Sequence, residues 1–209
     1  MFMKFDDTIL ITRLKQVPLT RLLFVGLGLV LFLSLFFVFR SKDDDSSEGI
    51  PSLQKVMESY NGEPNLSMQH LDEYVMQGSE VIDEVTPFIR DKDPKNRWLS
   101  VYVIGRVSDG ESVQVLEPLL EDEVEAVRVC AAGTMANKGY VKALPVLIES
   151  LDSTGLIEWL HPEREIADFS LEVLTFYTKQ SFQTKQEWEQ WWKQEGGTLR
   201  WSSNDQVYQ

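Results

Sequence analysis

The chain has 209 residues with 33 acidic and 20 basic side chains, so its formal net charge is −13. Hydrophobic residues make up 43% and charged residues 25%, a balance that supplies a packed core and excludes wholesale disorder. Beyond residue 40 the chain holds 15 basic and 31 acidic residues, a net charge of −16. Phosphate backbones would repel such a surface, which excludes nucleic-acid binding.

An uncharged stretch near the N-terminus predicts a transmembrane helix. Residues 22–39, LLFVGLGLVLFLSLFFVF, contain only Gly26, Gly28 and Ser34 among larger apolar side chains. Eighteen helical residues rise about 27 Å, close to the thickness of a bilayer core. A cleaved signal peptide is the alternative, but the run begins late, is long, and lacks a small-x-small cleavage site. We therefore predict an uncleaved, single-pass anchor.

The flanks of this segment suggest an orientation. More basic residues precede it than directly follow it, which favours a cytoplasmic N-terminus and an extracytoplasmic remainder. Residues 1–21 form a tail with an amphipathic pattern, and residues 40–52 are an acidic, Gly- and Pro-marked stretch typical of a flexible linker.

Everything beyond the linker has helical periodicity, and no stretch alternates long enough to predict a strand. The fold class we predict is all-α: a short α-solenoid over residues 53–200, followed by a tail at 201–209. The predicted helical segments cover residues 51–60, 66–77, 79–91, 94–107, 111–121, 125–137, 140–151, 163–179 and 185–195.

A repeat of 31 residues organises this helical region. Shifting the sequence by 31 places Arg97 on Arg128 and Gly105 on Ala136, and aligns several aliphatic positions. Asp91 falls on Asp122, where an acid favours the start of a helix. Such a unit is a pair of antiparallel helices that cannot bury its own apolar face and therefore stacks on the next pair. Small residues, such as Gly105, let neighbouring helices approach closely.

The repeated units resemble HEAT repeats of the short bacterial type found in phycobilin lyases. Asp93-Pro94, Arg97, Ile104-Gly105 and Asp109 carry the resemblance in one copy. In the next copy it is carried by Val127-Arg128, Ala131-Ala132, Gly139 and Ala143-Leu144-Pro145. The resemblance covers about residues 79–178 and implies a solenoid whose second helices line the concave side. It carries no active residues with it.

The third copy departs from the register. Arg164 aligns with Arg128 at a spacing of 36, so about five residues are inserted around Trp159 and His161, before a helix expected to start near Glu163. Inserted loops of repeat proteins often lie at binding faces, although a simple length variation is the alternative.

Tryptophans mark the C-terminal end. Trp188, Trp191 and Trp192 lie at i, i+3 and i+4, on one face of a helix. We interpret them as a cap that covers the last layer of the solenoid. With Trp201 they could instead form an aromatic shelf for a sugar or a peptide.

The sequence offers no catalytic constellation. It has no phosphate-binding loop, no Gly-x-Ser-x-Gly and no His-Glu-x-x-His, and we predict no enzyme activity, cofactor or metal. His161, Glu163 and Glu165 are better interpreted as a surface loop than as a ligand set. The single cysteine, Cys130, is expected to be buried and inert.

The predicted second helices carry acidic side chains that could contact a partner. The candidate partner face consists of Glu111, Glu117, Glu121, Glu149, Trp159 and His161. Its acids favour a protein partner with a basic segment, although a merely solvated surface is the alternative. We predict a non-catalytic, membrane-anchored scaffold or accessory subunit. The alternatives are a bilin-lyase-like accessory enzyme and a cell-wall or peptide binding module.

Overall fold

A computed structural model describes residues 52–60, 66–160 and 162–209, which belong to the unit Glu48–Gln209. The N-terminal tail, the predicted transmembrane segment 22–39 and most of the linker lie outside the described residues. Within the described ranges, no helix reaches the length and hydropathy of a transmembrane helix.

The described residues are mainly helical, as predicted. Their α-helices are α1 Leu53–Ser59, α2 Leu66–Met76, α3 Val81–Val85, α4 Pro94–Val107, α5 Glu125–Asn137, α6 Leu144–Glu149, α7 Ile166–Thr178 and α8 Lys185–Glu195. Their 3-10 helices are Gly78–Glu80, Thr86–Arg90, Ser112–Glu121, Val141–Ala143 and Ser150–Asp152. Their strands are β1 Leu156–Ile157, β2 Arg164–Glu165, β3 Trp201–Ser202 and β4 Val207–Tyr208.

The helices form two layers. The first helices of successive pairs, α4, α5 and α7, pack side by side. The second segments, 81–90, 112–121 and 141–152, pack against them and form the other layer. Leu99, Ile104, Leu116 and Leu144 are fully buried between the layers. This arrangement is the stack of helical pairs that the 31-residue period predicts.

The second segments differ from the prediction in their type of helix. Ser112–Glu121 is a 3-10 helix with Pro118 inside it, and the segments before and after it are partly 3-10. A 3-10 helix has three residues per turn, so side chains three apart share a face. Val113, Leu116 and Leu119 follow that spacing and are all buried. Spacing of three, together with a proline that cannot donate a backbone hydrogen bond, favours this tighter helix.

Small residues bring the first helices together, as the sequence predicts. A Cβ atom on Gly105 of α4 would lie 2.5 Å from the Thr134 Cγ2 atom of α5. A Cβ on Gly133 of α5 would lie 2.8 Å from the ring of Phe169 on α7. Ala131 and Ala136 are fully buried on α5. The layer of first helices therefore depends on backbone surfaces that carry little or no side chain.

The inserted loop is different from the helix start that was expected near Glu163. Leu156–Ile157 pairs in antiparallel fashion with Arg164–Glu165, and α7 begins only at Ile166. Ile157 and Ile166 are buried, so the short strand pair fastens the loop to the core. Two-residue strands leave no periodic signal in the sequence, which is why this pair was not predicted.

The last nine residues also form structure instead of a plain tail. Trp201–Ser202 pairs with Val207–Tyr208, and the buried Tyr208 hydroxyl donates to the Ala136 carbonyl at 3.0 Å. Trp201 lies over Gly139, whose φ is +86° and whose Cβ would be 2.5 Å from the indole. Only glycine adopts that backbone conformation without strain and leaves room for the ring.

Replacing Gly139 with alanine tests this contact. We expect Gly139→Ala to destabilise the fold by about 1–3 kcal/mol, because the added methyl group collides with Trp201 at a strained φ. The change is measured by unfolding the full chain with urea in detergent and monitoring the loss of helix by circular dichroism. Gly197→Ala is the matched control, since a Cβ there meets nothing within 4 Å. Equal stability of the two variants would contradict the packing described for Gly139.

Candidate functional site: the second-helix face and its grooves

A buried ion pair links two successive helical pairs. Arg97 of α4 donates from Nε and Nη2 to the two carboxylate oxygens of Asp122, at 2.7 and 2.8 Å. Its Nη1 donates to the Asp91 carbonyl at 2.8 Å. Both side chains are buried, so hydrogen bonds to fixed partners replace their water. The pair fixes the register of one helical pair on the next.

Asp122 also shapes the turn that precedes α5. Its carboxylate accepts from the Val124 backbone N–H at 2.9 Å, and Asp91 accepts in the same way from Asp93 N–H at 2.8 Å. Both acids therefore lie just before a first helix, as predicted. That Asp122 is also bound by the arginine of the preceding repeat was not predicted. The signal was available, because an acid and an arginine recur together at the 31-residue spacing.

The pairing of an arginine with the aspartate of the following repeat does not continue at the next repeat. Arg128 is 31 residues after Arg97, and its Nη1 donates to the Asp122 carbonyl at 2.5 Å, as Arg97 does to Asp91. Ser153 stands 31 residues after Asp122 and receives the Gly155 N–H at 3.1 Å, as Asp122 receives that of Val124. A serine hydroxyl preserves the turn but brings no carboxylate. Nε and Nη2 of Arg128 donate no hydrogen bond to any described residue.

Two grooves lie between neighbouring second segments. One, of about 370 Å³, is lined by Ile89, Val115 and Pro118 together with Asp83, Thr86, Pro87 and Arg90. The other, of about 350 Å³, contains the residues 31 positions later, Leu120, Val146 and Glu149. It extends further, to Glu125, Arg128, Ser150, Asp152, Ser153 and Lys185. We call these the first and the second inter-repeat groove.

We call the exposed side of the second segments 81–90, 112–121 and 141–152 the second-helix face, and the candidate acids lie along it. Glu111, Glu117, Glu121 and Glu149 are all exposed. Glu117 lies 3.5 Å from the Lys142 ammonium, and its pKa is lowered by a hydrogen bond from Tyr140 and by the Lys142 charge. Glu149 lines the second groove beside Arg128 and Lys185. The face is therefore acidic with cations among the acids. Arg128 marks the repeat in the sequence but was not predicted to belong to the partner face, and neither was Lys185.

Trp159, predicted to belong to the partner face, lies in an aromatic cluster. Its ring is 6.0 Å from that of Trp98, and its carbonyl accepts from the Tyr60 hydroxyl at 3.0 Å. It is half-buried and lines neither groove. His161 lies outside the described residues. The structure thus brings the acids to the second-helix face but places Trp159 where it fastens the inserted loop.

Two further expectations concern chemistry at single residues. Cys130 is buried, as expected, and its burial raises the pKa of the thiol to about 12. The thiol is therefore protonated, and a protonated thiol is a poor nucleophile. Among the described residues, no group of three or more His, Cys, Asp or Glu is arranged to hold a metal ion.

The tryptophans of α8 pack inward. Trp188 is fully buried and meets Phe182 edge-on at 5.0 Å, while Trp191 and Trp192 are half-buried. Trp201 packs against Tyr208. An aromatic shelf would need several exposed indoles, and Trp188 offers none of its surface. The arrangement fits the interpretation of a cap.

Comparison with known proteins agrees with this architecture. Residues 82–157 match the family model of HEAT repeats, which supports a HEAT-repeat domain in that part of the chain. No curated protein and no solved structure matches the sequence. HEAT repeats generally mediate contacts between proteins, and the matched region contains the Arg97–Asp122 pair and most of both grooves.

Breaking the buried pair should destabilise the domain strongly. We expect Arg97→Leu to cost about 3–5 kcal/mol, because it leaves the Asp122 carboxylate buried without its partner. The double variant Arg97→Leu/Asp122→Leu should recover part of that loss, since no lone charge is left behind. Urea unfolding of the full chain measures both, and additive losses in a double-mutant cycle would show that the two charges are not coupled.

Proposed function

We propose that the protein is a non-catalytic HEAT-repeat scaffold or accessory subunit, anchored in a membrane, that binds a protein partner on its second-helix face. The observation that carries the proposal is the pair of inter-repeat grooves beside exposed acidic side chains. A stack of helical pairs presents such grooves at regular intervals, which suits the binding of an extended segment.

Charge supports a basic segment as the partner's contact. Glu111, Glu117, Glu121 and Glu149 lie exposed on the second-helix face, and the chain carries a net charge of −13. Such a field accelerates the approach of a basic segment and repels an acidic one, with an effect that falls as ionic strength rises. The cations among the acids then limit which basic segments fit.

Membrane attachment rests on the sequence of residues 22–39. Their length and lack of charge fit the spanning of a bilayer, and the basic residues before them favour a cytoplasmic N-terminus. The helical domain would then face the extracytoplasmic side, at the end of the acidic linker 40–52. In that place it would present its second-helix face to proteins close to the membrane.

Site-specific photo-crosslinking in the native host tests the partner face. p-Benzoylphenylalanine at Gln114, an exposed residue of the 3-10 helix Ser112–Glu121, should yield a discrete protein adduct. The same amino acid at Thr175, exposed on α7 in the layer of first helices, should not. Charge reversal by Glu121→Lys should weaken the Gln114 adduct several-fold.

Adducts of equal yield at Gln114 and Thr175 would indicate nonspecific collisions. The absence of an adduct at both positions would contradict the proposed scaffold function. If the yield of the Gln114 adduct did not change with Glu121→Lys or with salt, the partner would still be a protein, but its contact would not be a basic segment.

Fractionation tests the anchor. The full chain should remain in the membrane pellet after extraction with alkaline carbonate and dissolve in detergent, because an 18-residue apolar helix is stable only in hydrocarbon. A chain with residues 22–39 deleted should move to the supernatant. Release of the full chain by carbonate, or a mature N-terminus beyond residue 39, would contradict membrane anchoring.

A further inference from the structure

The second inter-repeat groove holds an arginine whose counterpart in the preceding repeat binds a carboxylate. Arg97 uses Nη1 for backbone carbonyls and Nε with Nη2 for Asp122. Arg128 repeats the backbone contacts through Nη1, to Asp122 and Glu123. For the other two nitrogens of its guanidinium, Nε and Nη2, the following repeat has Ser153 in place of the aspartate. The guanidinium is thus oriented by the fold as Arg97 is, without the carboxylate.

The serine at position 153 leaves space in the groove, and it leaves Nε and Nη2 of Arg128 without a carboxylate. Arg128 and Ser153 both line the second groove, whereas Arg97 and Asp122 do not line the first. An aspartate is larger than a serine, and a bound aspartate would occupy the space between position 153 and the guanidinium. A planar guanidinium held in one orientation binds a carboxylate through two parallel hydrogen bonds.

The other charged groups of the groove are already engaged or face its rim. Glu125 accepts from the Ser153 hydroxyl at 2.8 Å. Lys185 donates to the Glu149 carbonyl at 2.8 Å and lies 3.7 Å from Asp152. The Glu149 carboxylate is exposed on the rim. An acid entering the groove therefore meets Arg128, and a basic side chain next to that acid meets Glu149.

We infer that the second inter-repeat groove binds an aspartate or glutamate side chain of the partner protein, which takes the position that Asp122 occupies against Arg97. The partner segment carries basic residues beside this acid, matching Glu149 and the acidic surroundings. The inference rests on the proposed function and adds to it the chemical identity of one contact. It also makes Arg128 the residue that determines specificity on a predominantly acidic face.

Substitution at Ser153 tests the geometry without a partner. In a Glu125→Gln background, which removes the carboxylate that accepts from the Ser153 hydroxyl, Ser153→Asp should restore the missing carboxylate within the chain and raise the Tm of the full chain in detergent by about 2–4 °C. Ser153→Asn is the matched control, because it has the same size and turn preference without the charge. The gain of Ser153→Asp over Ser153→Asn should vanish when Arg128→Gln is added. A gain that survives Arg128→Gln, or no gain at all, overturns the inference.

Crosslinking tests the partner contact. p-Benzoylphenylalanine at Thr154, exposed beside Ser153, should give an adduct in the native host. Ser153→Asp and Arg128→Gln should each reduce it at least ten-fold, while Ser153→Asn retains it. The adduct at Gln114, which lines neither groove, serves as the reference and should decrease less.

The identity of the crosslinked peptide completes the test. Mass spectrometry should find an Asp or Glu flanked by Lys or Arg, and its change to the corresponding amide should abolish the Thr154 adduct. A Thr154 adduct unaffected by Ser153→Asp, or one formed with a phosphorylated side chain, overturns the inference while the scaffold function stands. Absence of adducts at both Thr154 and Gln114 overturns the scaffold function itself.

Discussion

The pairing of Arg97 with Asp122 holds two successive helical pairs of the solenoid in register at a point where both side chains are buried. Removing both groups from water costs several kcal/mol, which only a bidentate contact with further hydrogen bonds can offset. The structure provides both, at 2.7 and 2.8 Å to the carboxylate and 2.8 Å to the Asp91 carbonyl. Because other registers would leave a buried charge unpaired, the pair selects one stacking of helices whose apolar faces alone would tolerate several.

That register also creates the surface available to a partner. In the 3-10 helix Ser112–Glu121, every third residue lies on one face, and that face is buried. A neighbouring face of the same helix carries Val115 and Pro118, which line the first groove. The equivalent residues one repeat later reach the second groove. The grooves are thus a consequence of stacking identical units at a fixed offset. What distinguishes them is chemistry: the first combines Ile89, Val115 and Pro118 with Asp83 and Arg90, whereas the second contains Arg128 beside Ser153.

The end of the repeat and the start of the inserted loop coincide at Ser153. From there the chain leaves the 31-residue register and forms the strand pair β1–β2. Trp159 packs on Trp98, and its carbonyl accepts from the Tyr60 hydroxyl. The loop is therefore tied to α4 by an aromatic contact and to the residue that follows α1 by a hydrogen bond. The same departure removes the carboxylate that would have closed the Arg128 edge. A feature that looks like an insertion in the sequence acts in the structure both as a fastening and as the origin of an open groove.

The sequence by itself determined the helical class, the 31-residue period, the bounds of α4, α5 and α8, and the close approach at Gly105. These properties are carried by local preference and by the spacing of side chains along one helix, which neighbouring residues specify. It also indicated which acids would be exposed. Only the tertiary structure decided the position of Trp159, the pairing of Arg97 with Asp122 and the contact of β4 with α5. Those depend on residues brought together across the fold, 25 positions apart for Arg97 and Asp122 and 72 for Ala136 and Tyr208. No short stretch of the chain specifies these contacts, because they form only after stacking has fixed the register of the helical pairs.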